Sequence, residues 1–225
     1  MQTPAGIPIY RCRRISQPFE VDGDIAKPAW QSTPVLQLRL ADGGGEPAQS
    51  TSVRSCWDGE NLYLAFECQD MDIRATLRQR DDRVWQEEAV EAFIAPYGDL
   101  RHYYEFQCSP LKVVRDVQVT NPNARAENLI FDGAWDCAGW QTAVRVPSGS
   151  SRSRQNGQIW TCEWRLPLGE LLDPGAGAIL PGEEWRVNLF RIDRWPREEF
   201  SSWSATPGQP LSFHRPTCFG RWVFE

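Results

Sequence analysis

Apolar and polar residues alternate with a period of two in several short stretches of the chain. Val90, Ala92 and Ile94 would lie on one face of an extended strand and Glu91 on the other, because successive side chains of a strand point to opposite faces. Stretches rich in Gly, Pro, Asn and Ser separate these runs. This pattern is typical of an antiparallel all-β domain.

We predict a hairpin over residues 51–70, with Asp58 and Gly59 in the turn between its two strands. Further strands are predicted at residues 89–95, 102–109, 113–119, 139–146, 158–167, 185–193 and 221–224. Surface loops are predicted at residues 42–49, 121–128, 147–157 and 173–182. The only helical prediction is a single turn at residues 168–172.

None of these loops separates two stretches that are each long enough for a sandwich of their own. We therefore predict one domain, residues 1–225, folded as an antiparallel β-sandwich with jelly-roll or immunoglobulin-like layering.

Charge and hydropathy exclude several classes of partner. The net charge is −6, and no basic run is longer than Arg13-Arg14, so nucleic acid is not an expected partner. No window approaches the roughly 18 to 20 apolar residues of a membrane span. The first 14 residues hold no apolar segment typical of an export signal, so a cytoplasmic location is the default expectation. Secretion would require a leader outside this sequence.

The seven cysteines contain no CxxC pair and are odd in number, which argues against a disulfide framework and a structural zinc site. Several lie inside predicted strands, where a free cysteine packs as a small apolar side chain. The seven are Cys12, Cys56, Cys68, Cys108, Cys137, Cys162 and Cys218.

Catalytic motifs are not found. His102 and His214 are the only histidines, and they have no metal-ligand spacing; nucleophile-elbow and phosphate-loop motifs are also missing. A glycoside hydrolase would need two carboxylates across a cleft, for which Glu88 and Glu91 are the candidates. We therefore expect a protein without independent catalysis.

Trp85 is the most informative of the eleven tryptophans. It lies in a strongly charged stretch just before a predicted strand, where a core role is a poor explanation. An indole face packs against the C–H groups of a sugar ring, and the sugar hydroxyls then need polar partners. Glu91 and Gln107 on the following strands could supply them. The alternative is that Trp85 covers the edge of the sandwich.

A second aromatic-rich segment, residues 203–216, precedes the last strand. Phe213 and His214 could present another flat surface to the same ligand, or they could pack against the core.

Several motifs, in order along most of the chain, resemble those of carbohydrate-binding module family 9 and its relatives. Residues 21–30, VDGDIAKPAW, resemble the family's "DG.ld..aW" opening. Residues 57–64 resemble its "WDd..LYv" hairpin, and residues 85–94 its "W..D.VE.fid" block. The matches continue at residues 104–106, 185–188 and 213–220.

The resemblance implies a β-sandwich that holds a sugar between two aromatic side chains, in the best-known members the reducing end of a glucan or xylan. Trp85 would be one wall and Glu91 a hydroxyl acceptor. Gln107 and Phe213 depart from the pattern, because a xylanase-associated module of the family has Arg and Trp at those positions. The implied partner is a mono- or oligosaccharide, including plant or bacterial polysaccharide.

The resemblance also raises two cofactor possibilities. Some family members hold calcium, and the weak candidate ligands here are Asp22, Asp24, Asp70 and Asp72. A related superfamily of DOMON-like sandwiches includes haem proteins with Met and His ligands, for which Met71 and His214 would be the pair.

The leading hypothesis is a non-catalytic carbohydrate-binding domain that uses Trp85, Glu91, Gln107 and Phe213 and needs no cofactor. The alternatives are a glycan-active hydrolase, or an accessory domain of one, and a structural sandwich that has lost its sugar site.

Overall fold

The computed structural model of the protein describes residues 6–147 and 157–225. Strands β1 to β14 span Ile9–Arg14, Val35–Gln37, Arg39–Leu40, Thr51–Trp57, Asn61–Asp70, Ala89–Ala95, His102–Cys108, Val114–Thr120, Ile130–Asp132, Gln141–Arg145, Gln158–Pro167, Glu184–Asp193, Glu199–Ser202 and Gly220–Phe224. One short helix, α1, spans Pro28–Gln31, and single 3₁₀ turns lie between some of the strands. In these two ranges no helix has the length and apolar character needed to cross a membrane.

The strands form two layers that share β1. One layer contains β10, β11, β5 and β4, and the other contains β14, β12, β6, β7, β8 and β9. The first four residues of β1 pair with β14, whereas Arg13 and Arg14 pair with β4. Both pairings of β1 are parallel. The sheet is therefore mixed, because every other pairing along its main path is antiparallel.

The core lies between the two layers. Val90, Ala92 and Ile94 of β6 pack in one buried cluster with Trp160 and Trp164 of β11, which confirms the alternation predicted for β6. Six of the tryptophans are less than 2% exposed, and burying each contributes roughly 4–6 kcal/mol of transfer free energy at most. They are Trp30, Trp57, Trp160, Trp164, Trp185 and Trp222. Trp85 is not among them.

The motif at residues 21–30 is held by a buried carboxylate on β11. The Glu163 side chain is fully buried and accepts hydrogen bonds from the Trp30 indole at 2.8 Å and the Gly23 amide at 2.9 Å. Lys27 Nζ lies 2.6 Å from the same carboxylate. Gly23 has φ +82°, and a Cβ at this position would lie 2.9 Å from Arg145. These contacts explain Gly23, Lys27 and Trp30 of this motif in physical terms.

Most predicted elements are confirmed. The strands at residues 89–95 and 158–167 have the predicted bounds, the hairpin of β4 and β5 is present, and the single turn begins at Leu168. The sequence pattern did not reveal α1, β1, β2, β3, β9 and β13; all but β1 are four residues or shorter. Of the loop predicted at 147–157, residues 148–156 lie outside the described residues.

All seven cysteines are free, and six of them are buried. Burial raises the pKa of the Cys12 and Cys68 thiols to about 12, so they remain protonated at neutral pH. They pack as small apolar side chains, as the sequence indicates.

Two carboxylates and one guanidinium connect the two layers at one end of the core. Arg191 of β12 is 1% exposed, and its Nη2 lies 2.7 Å from carboxylate oxygens of both Asp70 and Asp193. Asp70 ends β5, in the opposite layer. We call this group the Arg191 clamp. Glu88 is buried beside it and accepts a hydrogen bond from the Arg74 amide at 3.0 Å.

Burial, together with the negative charges of Asp70 and Asp193, raises the pKa of Glu88 from 4.5 to about 10. The unfolded chain ionises Glu88 near the ordinary pKa. Its contribution to stability is therefore complete below about pH 4.5 and is lost progressively as the pH rises toward 10. We expect the melting temperature of Glu88→Gln, relative to wild type, to increase by about 10 °C between pH 5 and pH 8, measured by differential scanning calorimetry.

Glu60→Gln is the matched control, because Glu60 is an exposed carboxylate on the β4–β5 turn. A difference in melting temperature between Glu88→Gln and wild type that stays constant across this pH range would contradict the raised pKa of Glu88.

Candidate functional site: an aromatic cavity on the outer face of one layer

A cavity of about 360 Å³ lies on the face of β6, β7, β8 and β12 that points away from the core. This volume is near the lower end of the range for small-molecule sites. Its walls combine aromatic side chains with buried polar groups. It is lined by Trp85, Glu91, Phe93, Glu105, Gln107, Arg115, Phe131, Ile192, Phe200, Leu211, Ser212, Phe213 and His214.

All four predicted binding residues, Trp85, Glu91, Gln107 and Phe213, line this cavity. They come from three separate parts of the chain, because Trp85 lies directly before the strand that carries Glu91. The pairing of β6 with β7 and the loop that precedes β14 bring them together. Glu88, the other carboxylate considered for hydrolysis, does not line the cavity.

Strand register places three polar side chains in one row across the cavity floor. Glu91 of β6 pairs with Gln107 of β7, which pairs with Arg115 of β8. Paired residues of adjacent strands point to the same face. Gln107 Nε2 donates a hydrogen bond to Glu91 Oε1 at 2.7 Å, so this amide fixes the carboxyl group from the side.

Trp85 is half-buried and lies in a 3₁₀ turn, Val84–Gln86, directly before β6. Its carbonyl accepts a hydrogen bond from Arg194 Nη2 at 2.7 Å. The guanidinium of Arg115 lies 5.0 Å from the centre of its indole ring, a cation–π distance. The backbone and one side of Trp85 are thereby held in place, and its surface is part of the cavity wall.

Phe213 comes from the segment predicted to carry a second aromatic surface. Its ring stacks on Phe190 of β12 with centroids 4.1 Å apart and an interplanar angle of 14°. Phe200 of β13 packs edge-on against it at 6.1 Å. Phe213 is thus anchored on the sheet while it lines the cavity. Phe213 therefore both packs against the protein and presents a surface to the cavity, the two alternatives that the sequence left open.

Two carboxyl groups share the floor. Glu105 is a diagonal neighbour of Glu91, because Glu105 pairs with Phe93, two residues further along β6. Burial raises the pKa of both groups, to about 7 for Glu105 and well above the ordinary value for Glu91. The proximity of Glu105 adds to the shift of Glu91, and Arg115 lowers the pKa of Glu105. The pair therefore carries less than two full charges near neutral pH.

Three polar atoms of the floor are buried without a hydrogen-bond partner within the described residues: Glu105 Oε2, Gln107 Oε1 and Arg115 Nε. Gln107 Oε1 is an acceptor, and Glu105 Oε2 is an acceptor when its carboxyl group is ionised. Arg115 Nε is a donor. Buried polar groups are otherwise almost always paired. The floor thus offers hydrogen bonds of both kinds to a molecule in the cavity.

His214 closes the other side of the floor. Its Nδ1 lies 2.8 Å from the hydroxyl of Tyr103, and its Nε2 lies 3.9 Å from Glu105 Oε2. Burial lowers the pKa of His214 to about 4, so the ring is neutral at physiological pH. Met71, its proposed partner for haem, does not line this cavity.

The four candidate calcium ligands each contact a cationic side chain. Lys27 Nζ lies 2.6 Å from Asp22, and Arg191 Nη2 lies 2.7 Å from Asp70. These cations compete with a metal ion for the same oxygen atoms, which does not fit a calcium site. The four carboxylates are Asp22, Asp24, Asp70 and Asp72.

The sequence interpretation missed Glu105, Arg115 and Phe131. Glu105 could have been inferred, because it alternates with Gln107 on the same strand and so shares its face. Arg115 and Phe131 depend on the register of β8 and β9, which a single sequence does not reveal. Arg115 also places a guanidinium beside Gln107, where the family pattern has Arg at the Gln107 position itself.

Comparisons with known proteins show what this chain resembles in sequence and in fold. An extracellular protein of Arthroderma benhamiae is 28% identical over 188 residues, covering 80% of each chain. A crystal structure of a proposed carbohydrate-binding protein from Bacteroides uniformis superposes with a TM-score of 0.79 at 19% identity, covering 98% of this chain and 100% of the other. A family 9 carbohydrate-binding module from Caldicellulosiruptor kristjanssonii, solved with cellotriose, gives 0.67 at 12% identity, covering 96% and 93%. Both of these solved structures have the same fold as this chain.

The family model described as "Carbohydrate family 9 binding domain-like" matches residues 21–225. This range includes every strand from β2 to β14 and all thirteen residues that line the cavity. The chain therefore belongs to the carbohydrate family 9 binding domain-like family.

Proposed function

We propose that this protein binds one end of a neutral glycan in the cavity and does not cleave it. The observation that carries the proposal is the combination of aromatic walls with a floor of buried, unpartnered donors and acceptors. A sugar presents apolar C–H faces and hydroxyl groups at its edge. Each hydroxyl both donates and accepts a hydrogen bond, so one ring matches both parts of the cavity.

The floor can bind two neighbouring hydroxyl groups. One donates to Glu105 Oε2 or Gln107 Oε1, and another accepts from Arg115 Nε. Hydrogen bonds to an ionised partner are about twice as strong as neutral ones. Arg115 restores the guanidinium donor that is missing from the Gln107 position. The departure at Gln107 is therefore compatible with sugar binding.

The walls supply the apolar contact. Trp85 presents part of an indole and Phe213 part of a phenyl ring, and the stacking of Phe213 on Phe190 keeps its orientation fixed. Ordering few flexible side chains on binding reduces the entropic cost. We expect dissociation constants of roughly 10⁻³ to 10⁻⁶ M.

The arrangement of the carboxyl groups argues against hydrolysis. A glycoside hydrolase needs two carboxyl groups on either side of the scissile bond. Glu91 and Glu105 lie on adjacent strands of the same floor, and Glu88 is buried beside the Arg191 clamp. This placement supports binding without cleavage.

The family 9 module solved with cellotriose makes β-1,4-linked glucose units the first ligands to test. Xylose-based oligosaccharides form the second group, because the sequence motifs resemble those of a xylanase-associated module.

Replacing Trp85 by Ala removes one wall without opening the core. We expect affinity for cello-oligosaccharides to fall by about tenfold, since a lost aromatic contact costs about 0.5–1.5 kcal/mol beyond the buried area. Titration calorimetry measures the change. Ile159→Ala is the control, because Ile159 is a similarly accessible apolar residue, 52% exposed, in the other layer. Equal affinities for Trp85→Ala and wild type would remove Trp85 from the site.

Binding should also depend on pH through Glu105, whose pKa of about 7 results mainly from burial. The carboxylate is a better acceptor for a sugar hydroxyl than the neutral acid. We therefore expect affinity to increase about three- to tenfold from pH 6 to pH 8 and then to level off. His214 stays neutral in this window.

Glu105→Gln should bind with the same affinity at both pH values, at the weaker level of the wild type at pH 6. Calorimetry at pH 6 and pH 8 on both proteins makes the comparison. A pH dependence that persists in Glu105→Gln would assign the titration to another group, Glu91 first.

A further inference from the structure

Phe131 is an aromatic side chain that lines the cavity yet is 46% exposed. It lies on the short strand β9, which pairs with β8 and ends the main path of the sheet. An exposed Phe on an edge strand favours self-association. Within the described residues it is not part of any buried hydrophobic cluster. Core packing therefore does not explain its presence.

The strand register places Phe131 and Trp85 at opposite ends of the cavity. Arg115, which stacks on Trp85, pairs with Gln107. Phe131 pairs with Val119, which pairs with Tyr103. From Gln107 to Tyr103 is four residues along β7, or about 13 Å at roughly 3.3 Å per residue. This distance is longer than a single pyranose ring.

The position of Phe131 is supported from inside the cavity. Its ring lies 5.3 Å from that of His214 at an interplanar angle of 79°. His214 is held by the hydroxyl of Tyr103 and packs at 5.0 Å from Phe93. The contact with His214 restrains Phe131 and leaves part of its surface open to solvent.

We propose that Phe131 is the contact surface for a second sugar unit, so that the ligand is a linear neutral oligosaccharide and not a free monosaccharide. The inference rests on the proposed function. The terminal unit lies against Trp85 and Phe213, over the polar floor, and the next unit packs on Phe131. The preference for a longer oligosaccharide then depends on Phe131, which was not among the binding residues predicted from the sequence.

The test compares glucose, cellobiose and cellotriose, with xylose and xylobiose as a second series, by titration calorimetry at one pH. Wild type should bind the disaccharide about three- to tenfold more tightly than the monosaccharide, the effect of one aromatic contact. Phe131→Ala should reduce this ratio to below about twofold, because the disaccharide loses more affinity than the monosaccharide. Phe131→Trp should preserve or increase the ratio.

Ile130→Ala is the matched control. Ile130 is adjacent on the same strand and 61% exposed, and it does not line the cavity. It should keep the wild-type ratio. Equal melting temperatures of the three variants and wild type show that the fold is intact.

The outcomes separate the two proposals. Absence of binding to every sugar by the wild type contradicts the proposed function. Sugar binding with a ratio that Phe131→Ala leaves unchanged contradicts the role of Phe131 alone, and so does an equal loss for mono- and disaccharides.

Discussion

The Arg191 clamp is the interaction on which both the sandwich and the cavity depend. Arg191 belongs to the layer that carries the cavity, and its partner Asp70 belongs to the other layer. Removing one member of a buried ion pair is strongly destabilising, because the other charge stays buried without a partner. The chain continues from Asp193 directly to Arg194, which holds the backbone of Trp85. A buried contact between the layers is thus followed directly in sequence by the residue that holds one wall of the cavity.

Strand β6 illustrates how one sequence can serve stability and binding together. Its Val90, Ala92 and Ile94 face the core, where only apolar packing matters. Glu91 of the same strand forms part of the cavity floor. Burial of its carboxyl group lowers the stability of the fold and raises the pKa of the group. Period-two alternation keeps these opposing requirements apart on the two faces. The core can therefore stay apolar while the floor holds polar atoms ready for a ligand.

The sequence predicted the long strands well because their alternation is local information. It also singled out Trp85, a tryptophan in a charged stretch, and Phe213, in an aromatic-rich segment with family-like motifs, and both line the cavity. Arg115 and Phe131 remained hidden because their positions depend on pairing between strands. The parallel pairing of β1 was hidden for the same reason, since a six-residue strand carries no signal for the layer it joins. The antiparallel prediction therefore needed correction for β1, though not for the remaining pairs of the main path.

The buried cysteines have one further consequence. Cys12, Cys56, Cys68, Cys108 and Cys162 lie on five different strands, and each is 0% exposed. A thiol in such a place reacts with an alkylating reagent only while its strand is transiently open. The alkylation rate of each cysteine, followed by the mass that the reagent adds, thus reports the opening free energy of its own strand. The chain carries five native reporters of local unfolding, distributed over both layers of the sandwich.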